Sequence, residues 1–80
     1  MSIHSEKAVS INILGKEYHV SCPAGEEQNL RQAAHTLNER MASIKASGKV
    51  VGLERIAVMA ALNISHELQQ RKNELNSVSQ

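Results

Sequence analysis

The sequence contains no phenylalanine, tryptophan or aspartate, and it has one tyrosine, one proline and one cysteine. Because Cys22 is the only cysteine, no disulfide can form within the chain. The 80 residues leave room for one small domain, and a domain of this size buries only about 60–65% of the surface that its unfolded chain exposes. Small domains offset such a thin core with disulfides, metals or association. We therefore expect this chain to associate with itself.

Charge and hydropathy exclude two further classes of protein. Nine basic side chains and eight glutamates leave a formal net charge of +1, whereas proteins that bind the nucleic-acid backbone are usually strongly basic. The longest uninterrupted apolar run, residues 56–62, is too short to cross a bilayer. The first residues also lack the apolar core of a secretory signal. We expect a cytoplasmic protein with no membrane partner and no nucleic-acid partner.

No group of residues has the spacing of a catalytic or metal site. The four histidines are scattered along the chain, and Cys22 cannot complete a zinc site with them. His66-Glu67 begins like the helical motif of zinc proteases, but Gln70 stands where the second histidine is needed. We therefore predict no catalytic residue, no metal, no cofactor and no enzymatic activity.

Alternating apolar and polar residues predict an N-terminal β-hairpin over residues 8–22. Gly15-Lys16 has the sequence of a two-residue type II′ turn. With this turn, Ile13 pairs with Tyr18, and apolar residues oppose each other along one face of the hairpin. The apolar residues of that face are Val9, Ile11, Ile13, Tyr18, Val20 and Cys22.

Two helices are predicted after the hairpin. Pro23 ends the second strand, and apolar residues at three- and four-residue spacing predict a first helix over residues 26–46. Gly48 suits the position that follows a helix. After a turn over residues 47–52, a longer second helix is predicted over residues 53–80. The fold class is therefore α+β, with residues 1–7 as a flexible N-terminus and residues 8–56 as a head.

The second helix carries an apolar stripe whose steps alternate between four and three residues, which is typical of a coiled coil. Residues 56–64 are apolar all round except at Asn63, which indicates burial on every side. The open edges of a two-stranded sheet also favour pairing with another copy. These features predict a homodimer joined through its heads, with the second helices entering a coiled coil. The predicted interface consists of Ala57, Ala61, Ile64, Leu68, Leu75 and Val78, with Arg71 as a charged interruption.

Basic residues cluster around the turn between the two helices: Arg40, Lys45, Lys49 and Arg55. Cations near the end of the first helix stabilise its dipole by ~0.3–1 kcal/mol each, which explains them without any partner. Lys49 lies beyond the helix, and for this residue a contact with an acidic partner is an equal alternative. Lys16 near the hairpin turn is either a solvated turn residue or a second contact.

Two segments of the chain resemble the ZapA family of bacterial cell-division proteins. The first is the pair Cys22-Pro23 at the end of the hairpin, and the second is Ala60-Ala-Leu-Asn-Ile64 in the second helix. The resemblance covers about residues 8–75 and implies the same hairpin and two helices.

The resemblance implies a non-enzymatic scaffold that binds filaments of the tubulin-like GTPase FtsZ and promotes their bundling and Z-ring assembly at midcell. It implies dimers formed through the heads, and tetramers formed when two dimers join through coiled coils. It also implies that charged residues of the head face FtsZ. The matching positions in this sequence are Lys16, Lys45, Lys49, Glu54 and Arg55.

The coiled coil of the family continues beyond the position that matches Gln80. The stripe after Ala61 is short here and is interrupted by Arg71, so we expect a dimer through the head, weak or absent tetramerisation and impaired bundling. A second interpretation is a small DNA-binding dimer that uses the two helices as a helix-turn-helix. Against it, the second helix is apolar where a recognition helix carries base-reading side chains.

Overall fold

The computed structural model describes residues 6–78, which form a hairpin followed by two helices. Strand β1 spans Glu6–Ile13, strand β2 spans Lys16–Pro23, helix α1 spans Glu27–Ser47 and helix α2 spans Leu53–Val78. This order confirms the predicted α+β class. Glu6 and Lys7, which we expected in a flexible N-terminus, belong to β1. The remainder of that expected segment and the last two residues of the predicted second helix lie outside the described residues.

The two strands are antiparallel, but the predicted turn and register are wrong. The turn is Leu14-Gly15, and Ile13 pairs with Lys16 rather than with Tyr18. Both turn residues have positive φ, +50° at Leu14 and +81° at Gly15, which is the type I′ geometry that matches the twist of a hairpin. The register is therefore shifted by two residues, and a shift of two leaves every side chain on its predicted face. Ile11 still opposes an apolar residue, because it pairs with Tyr18.

The chain divides into two compact units, with the boundary between Ala42 and Ser43 inside α1. The first unit contains the hairpin and most of α1. Its buried side chains come from one face of the hairpin and from one stripe of α1: Val9, Ile13, Cys22, Ala34 and Met41. The alternation in the hairpin and the helical spacing in α1 therefore both direct their apolar residues inward.

Three contacts stabilise the start of α1, and one of them joins it to the hairpin. The first intrahelical bond of α1 runs from the Leu30 N–H to the Glu26 carbonyl at 3.0 Å. The carboxylate of Glu27 accepts a hydrogen bond from the Gly25 N–H at 2.8 Å and lies 3.7 Å from the ammonium group of Lys7. A carboxylate in the first turn of a helix compensates free N–H groups and the positive end of the dipole. Glu27 therefore stabilises the helix start and connects it to β1.

The second unit contains the last residues of α1, the turn and α2. Ile56 and Ala60 are buried, whereas Val58 and Leu62 are 51% and 59% exposed. Residues two apart on a helix point about 200° apart, so Val58 and Leu62 lie on the opposite side of α2 from the buried pair. The prediction that residues 56–64 are buried on every side is therefore not met within a single chain. Neither α1 nor α2 combines the length and hydropathy that a membrane-crossing helix needs.

Candidate partner-binding surface

The turn between the helices is held by hydrogen bonds of its own residues. The Gly48 N–H donates to the Lys45 carbonyl at 3.1 Å, and Gly48 has the positive φ, +72°, that ends many helices. The hydroxyl of Ser47 donates to the Ile44 carbonyl at 2.6 Å and accepts from the backbone N–H of Lys49 at 3.2 Å. Lys49 is thus fixed at its backbone directly after the end of α1.

A surface concavity of about 570 Å³, which we call the turn concavity, lies between this turn and the start of α2. Its charged residues are Lys49, Glu54 and Arg55, all exposed. Its apolar lining comes from Val50 and Val51 in the turn and from Val58 and Met59 one helical turn further along α2.

The turn concavity has the composition of a protein-contact surface. Val51 is 80% exposed and Met59 is 41% exposed, and apolar side chains surrounded by polar residues are typical of interaction sites. Because Glu54 and Val58, like Arg55 and Met59, are four residues apart, each charge lies beside an apolar side chain on the helix surface. The surface can therefore desolvate an aliphatic side chain of a partner and place charges of both signs around it.

The structure brings together three of the five residues expected to face FtsZ. Lys49, Glu54 and Arg55 line the turn concavity, whereas Lys45 is exposed in the last turn of α1 and outside the lining. Lys16 is exposed at the start of β2, in the first unit. The apolar lining of the concavity was not among the expected contact residues. The signal for it was the pair Val50-Val51, two apolar residues in a turn between two glycines.

The residues of the predicted oligomer interface follow one stripe of α2 and are largely uncovered in the single chain. Ala57 and Ile64 are half-buried, and Ala61 is exposed. Leu68 is 55% exposed and Leu75 is 71% exposed. Val78 belongs to the same helix. These leucines have the exposure and spacing of side chains that a second helix covers.

The described residues contain no group that could serve as a metal centre. Within residues 6–78, no three His, Cys, Asp or Glu side chains are close enough to hold a metal ion. The thiol of Cys22 is buried. Burial, followed by the charges of Glu27, Glu6 and Glu26, raises its pKa above 9.0, which disfavours the reactive thiolate.

Three comparisons relate the chain to known proteins. A family model described as "Cell division protein ZapA" matches residues 9–80. A curated relative named "Cell division protein ZapA" from Pseudomonas aeruginosa is 49% identical over 71 residues, which cover 89% of this chain. Relatives of the same name from Sodalis glossinidius and Pectobacterium atrosepticum are each 38% identical over 68 residues, which cover 85% of the chain.

A solved structure supports the fold. The protein, titled "Unknown conserved bacterial protein from Pseudomonas aeruginosa PAO1", matches with a TM-score of 0.72 and 49% sequence identity. The match covers 89% of this chain and 77% of the solved chain. The chain spans 68% of the length of the Pseudomonas aeruginosa relative and 62% of the other two curated relatives.

Proposed function

Because the chain belongs to the ZapA family of cell division proteins, we propose that it is a non-enzymatic scaffold that binds FtsZ filaments and promotes their bundling and Z-ring assembly at midcell. The match of the family to residues 9–80 carries this proposal. The turn concavity supplies a surface for the contact.

The chemistry of the turn concavity suits a folded protein partner with charges of both signs. Lys49 and Arg55 offer cations to acidic residues of FtsZ, and Glu54 offers a carboxylate to a basic one. Met59 and Val58 provide an apolar centre whose burial supplies affinity, while the surrounding charges select the partner and its orientation. In this proposal Lys45 extends the contact beyond the concavity, and Lys16 in the first unit is a second contact.

Bundling requires more than one FtsZ-binding surface in each particle. A dimer formed through the heads carries two turn concavities, and two weak contacts on one particle bind an array of filaments much more tightly than one does. Beyond the heads, the exposed apolar residues of α2 provide a further surface for self-association. Bundling activity is therefore tied to oligomeric state in this proposal.

Co-sedimentation with GTP-polymerised FtsZ tests the proposed contact. We expect the double variant Lys45→Glu/Lys49→Glu to bind at least about tenfold more weakly, because it replaces attraction by repulsion on the proposed surface. Val51→Ser is expected to weaken binding with no change in charge, since it removes an exposed apolar group from the concavity.

The control for charge reversal is Lys72→Glu, which makes one such reversal at an exposed lysine far along α2. It is expected to leave binding within about twofold of the unmodified protein, as exposed charges outside an interface contribute little. Equal binding by the double variant, Lys72→Glu and the unmodified protein would remove the turn concavity from the contact. No sedimentation of the unmodified protein with FtsZ would refute the proposed function as a whole.

A further inference from the structure

A second concavity, of about 240 Å³, lies in the first unit between α1 and strand β1. We call it the edge pocket. Ser10 and Asn12 contribute to it from β1, and Arg31, His35 and Asn38 contribute from α1. It shares no residue with the turn concavity or with the stripe on α2.

The edge pocket lies on the side of β1 that pairs with no other strand among residues 6–78. In a hairpin with a two-residue turn, the residues that flank the turn exchange their backbone hydrogen bonds, and alternate residues direct theirs away from the partner strand. With Ile13 and Lys16 flanking the turn, every second residue of β1 counted back from Asn12 directs its backbone groups outward. Ser10 and Asn12 are the two of these residues that line the pocket. Their N–H and C=O groups therefore face outward along the open edge.

Two side chains of α1 already reach this edge at either side of Asn12. The Oδ1 atom of Asn38 accepts a hydrogen bond from the Leu14 N–H at 2.7 Å. The Nη1 atom of Arg31 donates to the Ser10 carbonyl at 3.4 Å. Between these two contacts, Asn12 borders the pocket. The pocket thus combines a guanidinium with backbone and amide groups that can donate hydrogen bonds.

A carboxylate would bind Arg31 more strongly than its present partner, the Ser10 carbonyl, does. Its present contact is long and joins a cation to a neutral carbonyl, whereas a pair of guanidinium and carboxylate is shorter, charge-assisted and often bidentate. Among the described residues that line the pocket, none is acidic. Three carboxylates of this unit already have partners. Glu17 accepts from the Ser10 hydroxyl, and Glu39 lies 3.4 Å from the His35 ring. Glu27, four residues before Arg31, contacts the Gly25 N–H and Lys7.

A third concavity adjoins the edge pocket and shares Arg31 and His35 with it. Its volume is about 470 Å³, and its other residues are Gln28, Gln32 and Thr36, all neutral and polar. A ligand that places an acidic group beside Arg31 can therefore continue along α1 over amide and hydroxyl groups that bind a peptide backbone.

We propose that the edge pocket binds an Asp or Glu side chain of an extended acidic peptide segment, with Arg31 as the residue that recognises the carboxylate and the backbone of Asn12 as a second donor. The peptide continues over Gln28 and Gln32. This site is separate from the proposed FtsZ contact, so either can fail without the other.

NMR titration of the ¹⁵N-labelled chain with a defined probe tests the proposal. The probe is the peptide acetyl-Gly-Ser-Glu-Ser-Gly-amide, whose only charge is its glutamate. We expect saturable shifts of the backbone amides of Asn12 and Ser10 and of the side-chain signals of Asn38 and Arg31. The same peptide with Gln in place of Glu is expected to shift none of them. A third peptide, with Gln and a free C-terminal carboxylate, distinguishes a terminal carboxylate from a side-chain one.

Variants locate the binding on Arg31. Arg31→Gln is expected to raise the dissociation constant at least about tenfold, while Lys72→Gln, which removes an exposed cation of α2 outside the apolar stripe, leaves it unchanged. An unaltered amide spectrum away from the pocket verifies that Arg31→Gln folds. Equal shifts with the Glu and Gln peptides, or equal binding by Arg31→Gln, overturn the proposal. Concentration-dependent shifts at Ser10 and Asn12 without peptide also overturn it, since the edge is then occupied by a second copy of the chain.

Discussion

The side chain of Asn38 in α1 holds the turn of the hairpin, because its Oδ1 atom accepts a hydrogen bond from the backbone N–H of Leu14 at 2.7 Å. Leu14 has a φ of +50°, a conformation that is uncommon for a leucine. Its N–H points away from the ladder of the hairpin and is partly buried, so it needs a partner from elsewhere in the chain. A helix residue 24 positions later supplies that partner.

Replacing this partner should destabilise the first unit. For Asn38→Ala we expect a loss of about 1–2 kcal/mol in the free energy of unfolding, because the Leu14 N–H loses its acceptor. Asn38→Asp keeps an acceptor and should lose less. Urea denaturation followed by circular dichroism, at one protein concentration, measures both.

The control for this pair is Asn73→Ala, which truncates an exposed asparagine of α2. Substitutions of this kind usually change stability by less than about 0.5 kcal/mol. If Asn38→Ala proved no less stable than Asn73→Ala, the hydrogen bond to Leu14 would not hold the turn.

Gly15 should be the second sensitive position of the turn. Its φ is +81°, and an added Cβ meets no atom within 4 Å, so any cost of substitution is conformational rather than steric. We expect Gly15→Ala to lower the free energy of unfolding by about 1 kcal/mol. Gly15→Asn should lose less, because asparagine tolerates this conformation. Thermal melting compares the two variants, and equal losses would contradict a conformational origin.

The hairpin shows which part of the fold could be predicted from the sequence. The alternation of apolar residues predicted two strands and their buried face, and Val9, Ile13 and Cys22 are indeed buried. The alternation repeats every two residues, so it cannot distinguish two registers that differ by a shift of two. The position of the turn at Leu14-Gly15 determines which of the two registers forms. A leucine with positive φ, held by Asn38, could not be foreseen from local sequence, since the contact spans 24 residues.

The candidate site was predictable in its charges but not in its shape. The turn between the helices was clear from Gly48 and from the helical spacing on either side, so Lys49 and Arg55 could be placed near each other. The apolar lining depends on which side of α2 stays uncovered. Ile56 and Val58 have equally apolar side chains, and only the structure shows that Ile56 is buried while Val58 is 51% exposed.

The loss of stability at acid pH should depend on Glu27. Its pKa lies below the ordinary 4.5 chiefly because its carboxylate accepts hydrogen bonds from its own backbone N–H and from that of Gly25, with a further contribution from Lys7. A carboxylate with a lowered pKa in the folded state stabilises the fold fully above its unfolded pKa, and this contribution disappears as the pH falls through the folded pKa.

We therefore expect the melting temperature of the unmodified chain to fall more steeply between about pH 5 and pH 3 than that of Glu27→Gln. Glu74→Gln, which neutralises an exposed carboxylate on α2, should retain the steep fall. Parallel curves for the unmodified chain and Glu27→Gln would show that Glu27 is not the group responsible.

Self-association should depend on the exposed leucines of α2. Leu68 and Leu75 are seven residues apart, on the same side of the helix, and both are more than half exposed. Burying one leucine fully contributes about 1.5–3 kcal/mol, so the double variant Leu68→Asn/Leu75→Asn should raise the dissociation constant at least about tenfold. Sedimentation equilibrium over a range of concentrations measures this change.

Gln69→Asn, an exposed polar neighbour, is the control and should keep the original association. An unchanged average mass in the leucine variant would exclude this stripe as the interface. In that case, Leu62→Ser would determine whether the exposed side of the first turns of α2 joins the chains instead.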